Sequence, residues 1–253
     1  MAALSDHGYE DFSVEAAILK VFATEALWRT ADEALQTAGG NGYMREYPYE
    51  RIVRDSRINR IFEGTNEILR LYVALTALND VGQRLKEMAR SLKGIFDDPI
   101  KGFGLLYDYA RRRANWATGL PLGKTSLSKA HVMLRPQAEI FEDLTRGLAA
   151  MADRLLRKHG KGIIGKQFAT RRLADVMIDL FVLAAVLSRV TASIESRGAE
   201  KAAREIDVAR VLGGQVKGRA TRNFRKIDDN DDELVKGLAE HAYELGGYTW
   251  DVI

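Results

Sequence analysis

The chain has 253 residues, of which 46% are apolar, enough for one large domain or two modest ones with a genuine core. Its 38 basic and 35 acidic side chains leave a net charge of +3, too nearly balanced to mark a nucleic-acid-binding protein. The absence of cysteine excludes a disulfide framework, a thiolate metal site and a thiol nucleophile, and the four histidines (His7, His131, His159, His241) lack ligand spacing, so no metal is expected.

Four prolines in the whole chain and long stretches of period near 3.6 predict an all-α helical bundle with no alternating strand. No charged segment followed by an apolar one comes after Met1, so no signal peptide is expected. Ser13 is the expected N-cap of the first helix, with a seam of Val14, Ile18, Val21, Trp28, Ala31 and Leu35. Thr24 and Glu25 interrupt that seam midway. Ala16, Ala17, Ala23, Ala26 and Ala34 favour the helix and permit close neighbours. The turn Gln36-Thr37-Ala38-Gly39-Gly40-Asn41-Gly42 ends it, and such glycines serve either as a helix C-cap or as backbone that lets a phosphate approach.

Arg51, Arg54, Arg57 and Arg60 follow Pro48 at intervals of three. They could hold phosphate, but the interleaved acids favour pairing with Glu46, Glu50 and Asp55. Next comes Ile61-Phe62-Glu63-Gly64-Thr65-Asn66, in which Thr65 or Asn66 suits the N-cap of a long helix. Glu63 then lies in the turn before a helix N-terminus, beside free backbone N–H groups. A carboxylate among apolar neighbours suits proton abstraction, because desolvation raises its pKa and the nearby donors can hold a carbonyl gaining negative charge. The long helix has a seam of Leu71, Leu75, Leu78, Leu85 and Leu92.

Between residues 91 and 125 glycines punctuate a basic, aromatic segment, Leu105 to Trp116, which fits either a lipid headgroup layer or a short connecting helix. This stretch is the expected boundary between two modules, 1–90 and 126–253. A helix from about Ser126 to Lys158, kinked at Pro136, is expected to end at Gly160. Another should cover Gln167 to Arg197, apolar nearly all round at Val176, Met177, Ile178, Leu180, Phe181, Leu183 and Leu187 as befits the middle of a bundle. The apolar run Val176 to Leu187 contains Asp179 and is shorter than the roughly 20 residues of a membrane span. Helices from Glu200 to Arg222 and from Asp232 to Leu245 complete the reading, with the Asp228–Asp232 cluster as a solvated helix cap rather than a cation loop.

The string Ile61-Phe62-Glu63-Gly64-Thr65-Asn66-Glu67-Ile68-Leu69-Arg70, preceded by Arg54-Asp55-Ser56-Arg57-Ile58 and by Gln36-Thr37-Ala38-Gly39-Gly40-Asn41-Gly42-Tyr43, resembles the C-terminal helical domain of the acyl-CoA dehydrogenases. The later part resembles the extra helical domain of their very-long-chain branch. The resemblance implies the C-terminal part of a longer FAD-dependent enzyme, whose N-terminal helical and β-domains lie outside the matched blocks. It implies Glu63 as the base that removes the α-proton of an acyl-CoA, with Gly64 leaving room for the thioester. It places Gln36, Thr37, Ala38, Gly39 and Gly40 against the flavin dinucleotide of a partner subunit, hence a homodimer. Thr65, Asn66 and Glu67 match positions near the adenosine portion of the cofactor. Electron-transfer flavoprotein is the implied electron acceptor, and residues 91–125 match a stretch associated with peripheral membrane contact. The location implied is cytoplasmic or inner-membrane-associated in a bacterium, and the matrix side in a mitochondrion. A non-catalytic helical scaffold from the same family is the alternative.

Overall fold

The computed structural model describes residues 10–93 and 127–247, with Ala2, Asp6 and Gly8, and describes only the backbone over 80–93. The connector expected at 91–125, with its basic aromatic segment, lies almost wholly outside the described residues. Among the described residues seven α-helices form: α1 (Ser13–Ala38), α2 (Tyr49–Arg57), α3 (Asn66–Lys93), α4 (Arg135–His159), α5 (Gln167–Arg197), α6 (Ala203–Arg225) and α7 (Asp232–Leu245). Short 3-10 turns link several of them, and no strand occurs among the described residues. The all-α bundle expected from periodicity is the fold.

The start of α1 differs from expectation. Ser13 is already helical, and the acceptor is Asp11, whose carboxylate takes the Ser13 N–H at 3.1 Å and the Ser13 hydroxyl at 2.8 Å. A hydroxyl that donates to an upstream carboxylate is not the capping acceptor. At the other end Gly39 takes up φ 59° and returns its N–H to the Gln36 carbonyl.

Two apolar clusters make the core, and α5 belongs to both. One joins Ala17, Ile18 and Val21 of α1, Val73, Ala74 and Leu78 of α3, and Met151 and Leu155 of α4 to Leu173, Ala174 and Ile178 of α5. The other packs Val176, Leu180, Leu183 and Leu187 of α5 against Leu144 of α4 and Ile206, Ala209, Val216 and Ala220 of α6. The two described segments therefore share one core. On α3 the buried stripe is Val73, Ala74 and Leu78, while Leu71 and Leu75 are half-buried, so the expected leucine seam is displaced. The reason is that α3 packs against both α1 and α5, which centres burial between the two contacts. Leu85 and Leu92 lie outside the described side chains.

Pro136 does not kink a helix. Residues Val132–Leu134 form a 3-10 turn and Pro136 sits in the first turn of α4, where its missing N–H costs nothing. Gly147 of α4 lets the Phe224 ring of α6 come close, since an added Cβ would stand 2.7 Å from that ring and push it aside. Helices α5 and α7 occupy the ranges expected, and α6 runs three residues further on than expected at each end. The acidic cluster before α7 is split among partners: Asn230 accepts the Asp232 N–H at 3.1 Å, Asp232 takes a two-pronged bond from Arg172 at 2.6 and 2.5 Å, and Asp228 pairs with Arg154 at 2.7 Å. Beyond Asp232, α7 is exposed throughout. No helix among the described residues is long and apolar enough to cross a membrane.

Candidate active site

The loop that carries Glu63 is built by a change of helical handedness. After α2, Ile58–Arg60 tighten into a 3-10 turn, and the N–H groups of Ile61 and Phe62 both return to the Ile58 carbonyl at 2.9 and 3.1 Å. Glu63 then adopts φ 54° and Gly64 φ 90°. Glu63 is the single non-glycine residue with positive φ among the described residues, a conformation that costs about 1 kcal/mol or more and that surrounding structure must hold. Thr65 caps α3: its carbonyl accepts from Leu69 at 2.9 Å and its hydroxyl from Ile68 at 3.4 Å. Among the described residues the N–H groups of Glu63 and Gly64 have no hydrogen-bond acceptor.

Glu63 itself is exposed, as are Ile61 (47%) and Phe62 (48%) beside it. The desolvation expected for this carboxylate is not supplied by the described residues, because nothing in them packs over the loop. What lies beneath the loop is polar and well ordered by contacts. Lys20 of α1 donates from Nζ to the Gly64 carbonyl at 2.7 Å and to Asn66 Oδ1 at 2.8 Å. Asn66 is fully buried; its Nδ2 donates to Thr24 at 2.9 Å and to Glu25 Oε1 at 3.1 Å. Its carboxamide is thus committed inward and holds the loop rather than a ligand. Glu25 also faces Arg60 at 3.3 Å and Arg70 at 3.4 Å, and Arg70 Nε donates to Asp175 of α5 at 2.7 Å.

The electrostatics follow from this crowding. Burial pushes the Glu25 carboxyl up, but the Asn66 hydrogen bond and the charges of Arg70 and Arg60 outweigh it and hold the group below its ordinary value. Burial lowers Lys20 against the opposing pull of Glu67 and Glu25. For Arg70 burial is again the largest influence, overcome by the bond to and charge of Asp175, so the guanidinium is held protonated more firmly than usual. Thr24 and Glu25, the residues that interrupt the apolar seam of α1, are the signal that a polar cluster would form here.

The arginine ladder divides. Arg54 pairs with Glu50 at 3.6 Å on the surface, as expected. Arg60 instead reaches inward to Glu25, and Arg57 and Arg60 lie 5.6 and 6.0 Å from the centre of the Trp28 ring. This ladder fastens the approach to the loop onto α1.

The glycine turn is elsewhere. Gln36, Thr37, Gly39 and Gly40 are exposed and Ala38 is half-buried; Thr37 donates its hydroxyl to the Glu33 carbonyl at 2.7 Å. An added Cβ at Gly39 or Gly40 would meet nothing within 4 Å, so the backbone is open to a ligand, whereas at Gly42 it would stand 2.4 Å from the Leu35 carbonyl oxygen. Lys20, under the Glu63 loop, and Gln36 are sixteen positions apart on one helix, about 24 Å along its axis. The structure brings Glu63, Gly64, Thr65, Asn66 and Glu67 together and does not bring Gln36 to Gly40 to them.

Both described segments resemble known proteins. Residues 1–78 match the profile described as "Acyl-CoA dehydrogenase, C-terminal domain", and residues 132–247 match that described as "ACAD9/ACADV, C-terminal domain". The chain is 41% identical over 194 residues to the very long-chain specific acyl-CoA dehydrogenase of Rattus norvegicus, covering 77% of this chain and 29% of that protein. It is 40% identical over 252 residues to the protein of the same name from Bos taurus, covering 98% of this chain and 38% of that protein. Over residues 1–78 and 132–247 the chain carries C-terminal domains of the acyl-CoA dehydrogenase family.

A solved acyl-CoA dehydrogenase from Bacillus anthracis, complexed with FAD, superposes with a TM-score of 0.69 at 25% identity, over 93% of this chain and 37% of that one. The chain thus spans between 29% and 38% of the length of these curated relatives. Within the family framework, the Glu63 loop, the glycine turn and Lys20, Glu25 and Arg70 all fall in the first matched region, while Asp175 falls in the second.

Proposed function

We propose that this chain supplies the C-terminal helical portion of an FAD-dependent acyl-CoA dehydrogenase that converts long-chain acyl-CoA to trans-2-enoyl-CoA in fatty acid β-oxidation. One observation carries the reading: Glu63 stands in a left-handed turn with its own N–H and that of Gly64 unpaired, immediately before a capped helix, and with its carboxylate free to be covered by a docking domain. Such a turn presents an acceptor for a proton and donors for an oxyanion from adjacent atoms of one short segment.

In this role Glu63 removes the α-proton of the acyl thioester, and its backbone N–H steadies the thioester oxygen as negative charge gathers there. An α C–H is a feeble acid in water, so both contributions are needed at once. FAD, when bound, supplies the acceptor for the β-hydride, and electron-transfer flavoprotein takes the electrons onward. The residues fit that cofactor: Gly39 and Gly40 offer open backbone to its phosphates, with Gln36, Thr37 and Ala38 alongside, and Thr65 and Glu67 stand next to the base. Because the glycine turn lies about 24 Å along α1 from Lys20, the residue that bonds the base-bearing loop, it serves the active site of a second subunit, which supports a homodimer. Long acyl chains are favoured by the names of the relatives, which are very long-chain specific enzymes.

The test is Glu63→Gln in the enzyme assembled with its flavin-facing domains. Turnover should fall by about a thousandfold with FAD content unchanged. Equal rates in the variant and the parent would remove Glu63 from the reaction. The 253-residue chain purified alone should be colourless and inactive, and stoichiometric FAD on it would contradict the division of labour proposed.

A further inference from the structure

We propose that Asp175, on helix α5, is a positioning residue for the Glu63 turn, 112 positions earlier in the chain by the shared numbering. The inference rests on the reading of Glu63 as the base, and adds that the second matched region of the chain holds that base in place.

The path is continuous and short at each step. Asp175 Oδ1 accepts from Arg70 Nε at 2.7 Å, Arg70 meets Glu25 Oε1 at 3.4 Å, and Glu25 Oε1 accepts from Asn66 Nδ2 at 3.1 Å. Asn66 Oδ1 and the Gly64 carbonyl share the Lys20 ammonium at 2.8 and 2.7 Å. The side chains between Asp175 and Lys20 are largely shielded: Arg70 is 13% exposed, Glu25 21% and Asn66 0%. In such surroundings a missing partner is not replaced freely by water, so a change at one end is felt at the other. The target is a turn that needs support, since a glutamate at φ 54° relaxes unless its neighbours forbid it.

Two features make Asp175 specific. Arg70 meets Asp175 through Nε and Glu25 through Nη1, so removing Asp175 leaves the charges of Arg70 and Glu25 to rearrange around Asn66. Arg171, the other partner of Asp175, stands at 3.9 Å and is 63% exposed, and does not lead toward the loop. One turn along the same helix, Asp179 makes an equally direct bond, accepting from Arg219 at 2.7 Å; Arg219 belongs to α6 and, although it feels the charge of Asp175, it is not hydrogen-bonded to any residue of the path. Asp179 is therefore a matched control on the same helix.

The experiment is solution NMR on the full 253-residue chain, with Asp175→Asn, Asp179→Asn and Arg171→Ala compared with the parent. The carbonyl carbon of Gly64 reports the Lys20 bond directly, and amide exchange at Leu69 reports the anchoring of the α3 N-terminus on Thr65. In Asp175→Asn the Gly64 carbonyl resonance should move upfield and Leu69 should exchange about tenfold faster, as expected when a local opening is eased by one charge-assisted hydrogen bond. Both readouts should stay at parental values in Asp179→Asn and Arg171→Ala. Should Asp175→Asn not fold, Asp175→Glu, which keeps the charge but moves it by one methylene, is read the same way with a smaller shift. No change in the Asp175 variant, or an equal change in Asp179→Asn, overturns the proposal. These readouts do not depend on turnover, so a failure of Glu63→Gln to slow the enzyme would leave their outcome untouched.

Discussion

Two regions of the molecule solve opposite problems. Around α5 and α6 the interior is largely apolar: Leu183, Leu187 and Val216 are at most 1% exposed, and helix meets helix mainly through apolar side chains and closely fitted glycines. Around the Glu63 loop the interior is polar, with Lys20, Thr24, Glu25, Asn66 and Arg70 meeting where α1 approaches α3, while the apolar Ile61, Phe62 and Ile68 face outward. Apolar burial stabilises without direction, and suits a scaffold. A charged and hydrogen-bonded cluster adds less net stability but fixes one geometry, which is what a strained turn demands.

This contrast can be broken at four points, beginning with the most severe. Leu183→Ala should destabilise the chain by about 2–5 kcal/mol, read by denaturant unfolding, since the side chain is wholly buried. Asn66→Ala should cost less, about 1–3 kcal/mol, because it leaves Glu25, Thr24 and Lys20 each short of a partner but creates a smaller cavity. A loss equal to that of Leu183→Ala would show that the polar cluster is as much a stabilising core as the apolar one.

The third test uses pH. Glu25 has a folded value below its ordinary 4.5, so its contribution is complete above that value and is lost as pH falls through the lower folded value. Glu25→Gln should therefore lower the melting temperature at neutral pH yet flatten its decline between about pH 5 and 3. An unchanged acid limb would mean that other carboxylates govern acid unfolding. Phe62→Ala, at 48% exposure, should change stability by no more than about 0.5 kcal/mol; a larger loss would mean that the loop is packed and not merely presented.

By itself the sequence determined the helices and much of their extent. The limits of α5 and α7, the glycine stop after α1, and the position of Glu63 just ahead of a helix all follow from local periodicity and capping chemistry, which act within a turn or two. What only the tertiary structure decided is which faces those helices bury and what the polar residues on them meet. Thr24 and Glu25 read as flaws in a seam until Asn66, some forty positions away, and Asp175, 105 positions from Arg70, close around them. Asn66 reads as a cap or a ligand contact and is instead an internal tie, and α3 buries Val73 and Ala74 because two helices, not one, press on it. The physical reason is the same in each case: local sequence fixes the spacing of groups along an axis, but the energy of a buried charge or amide depends on partners that chain connectivity does not place beside it.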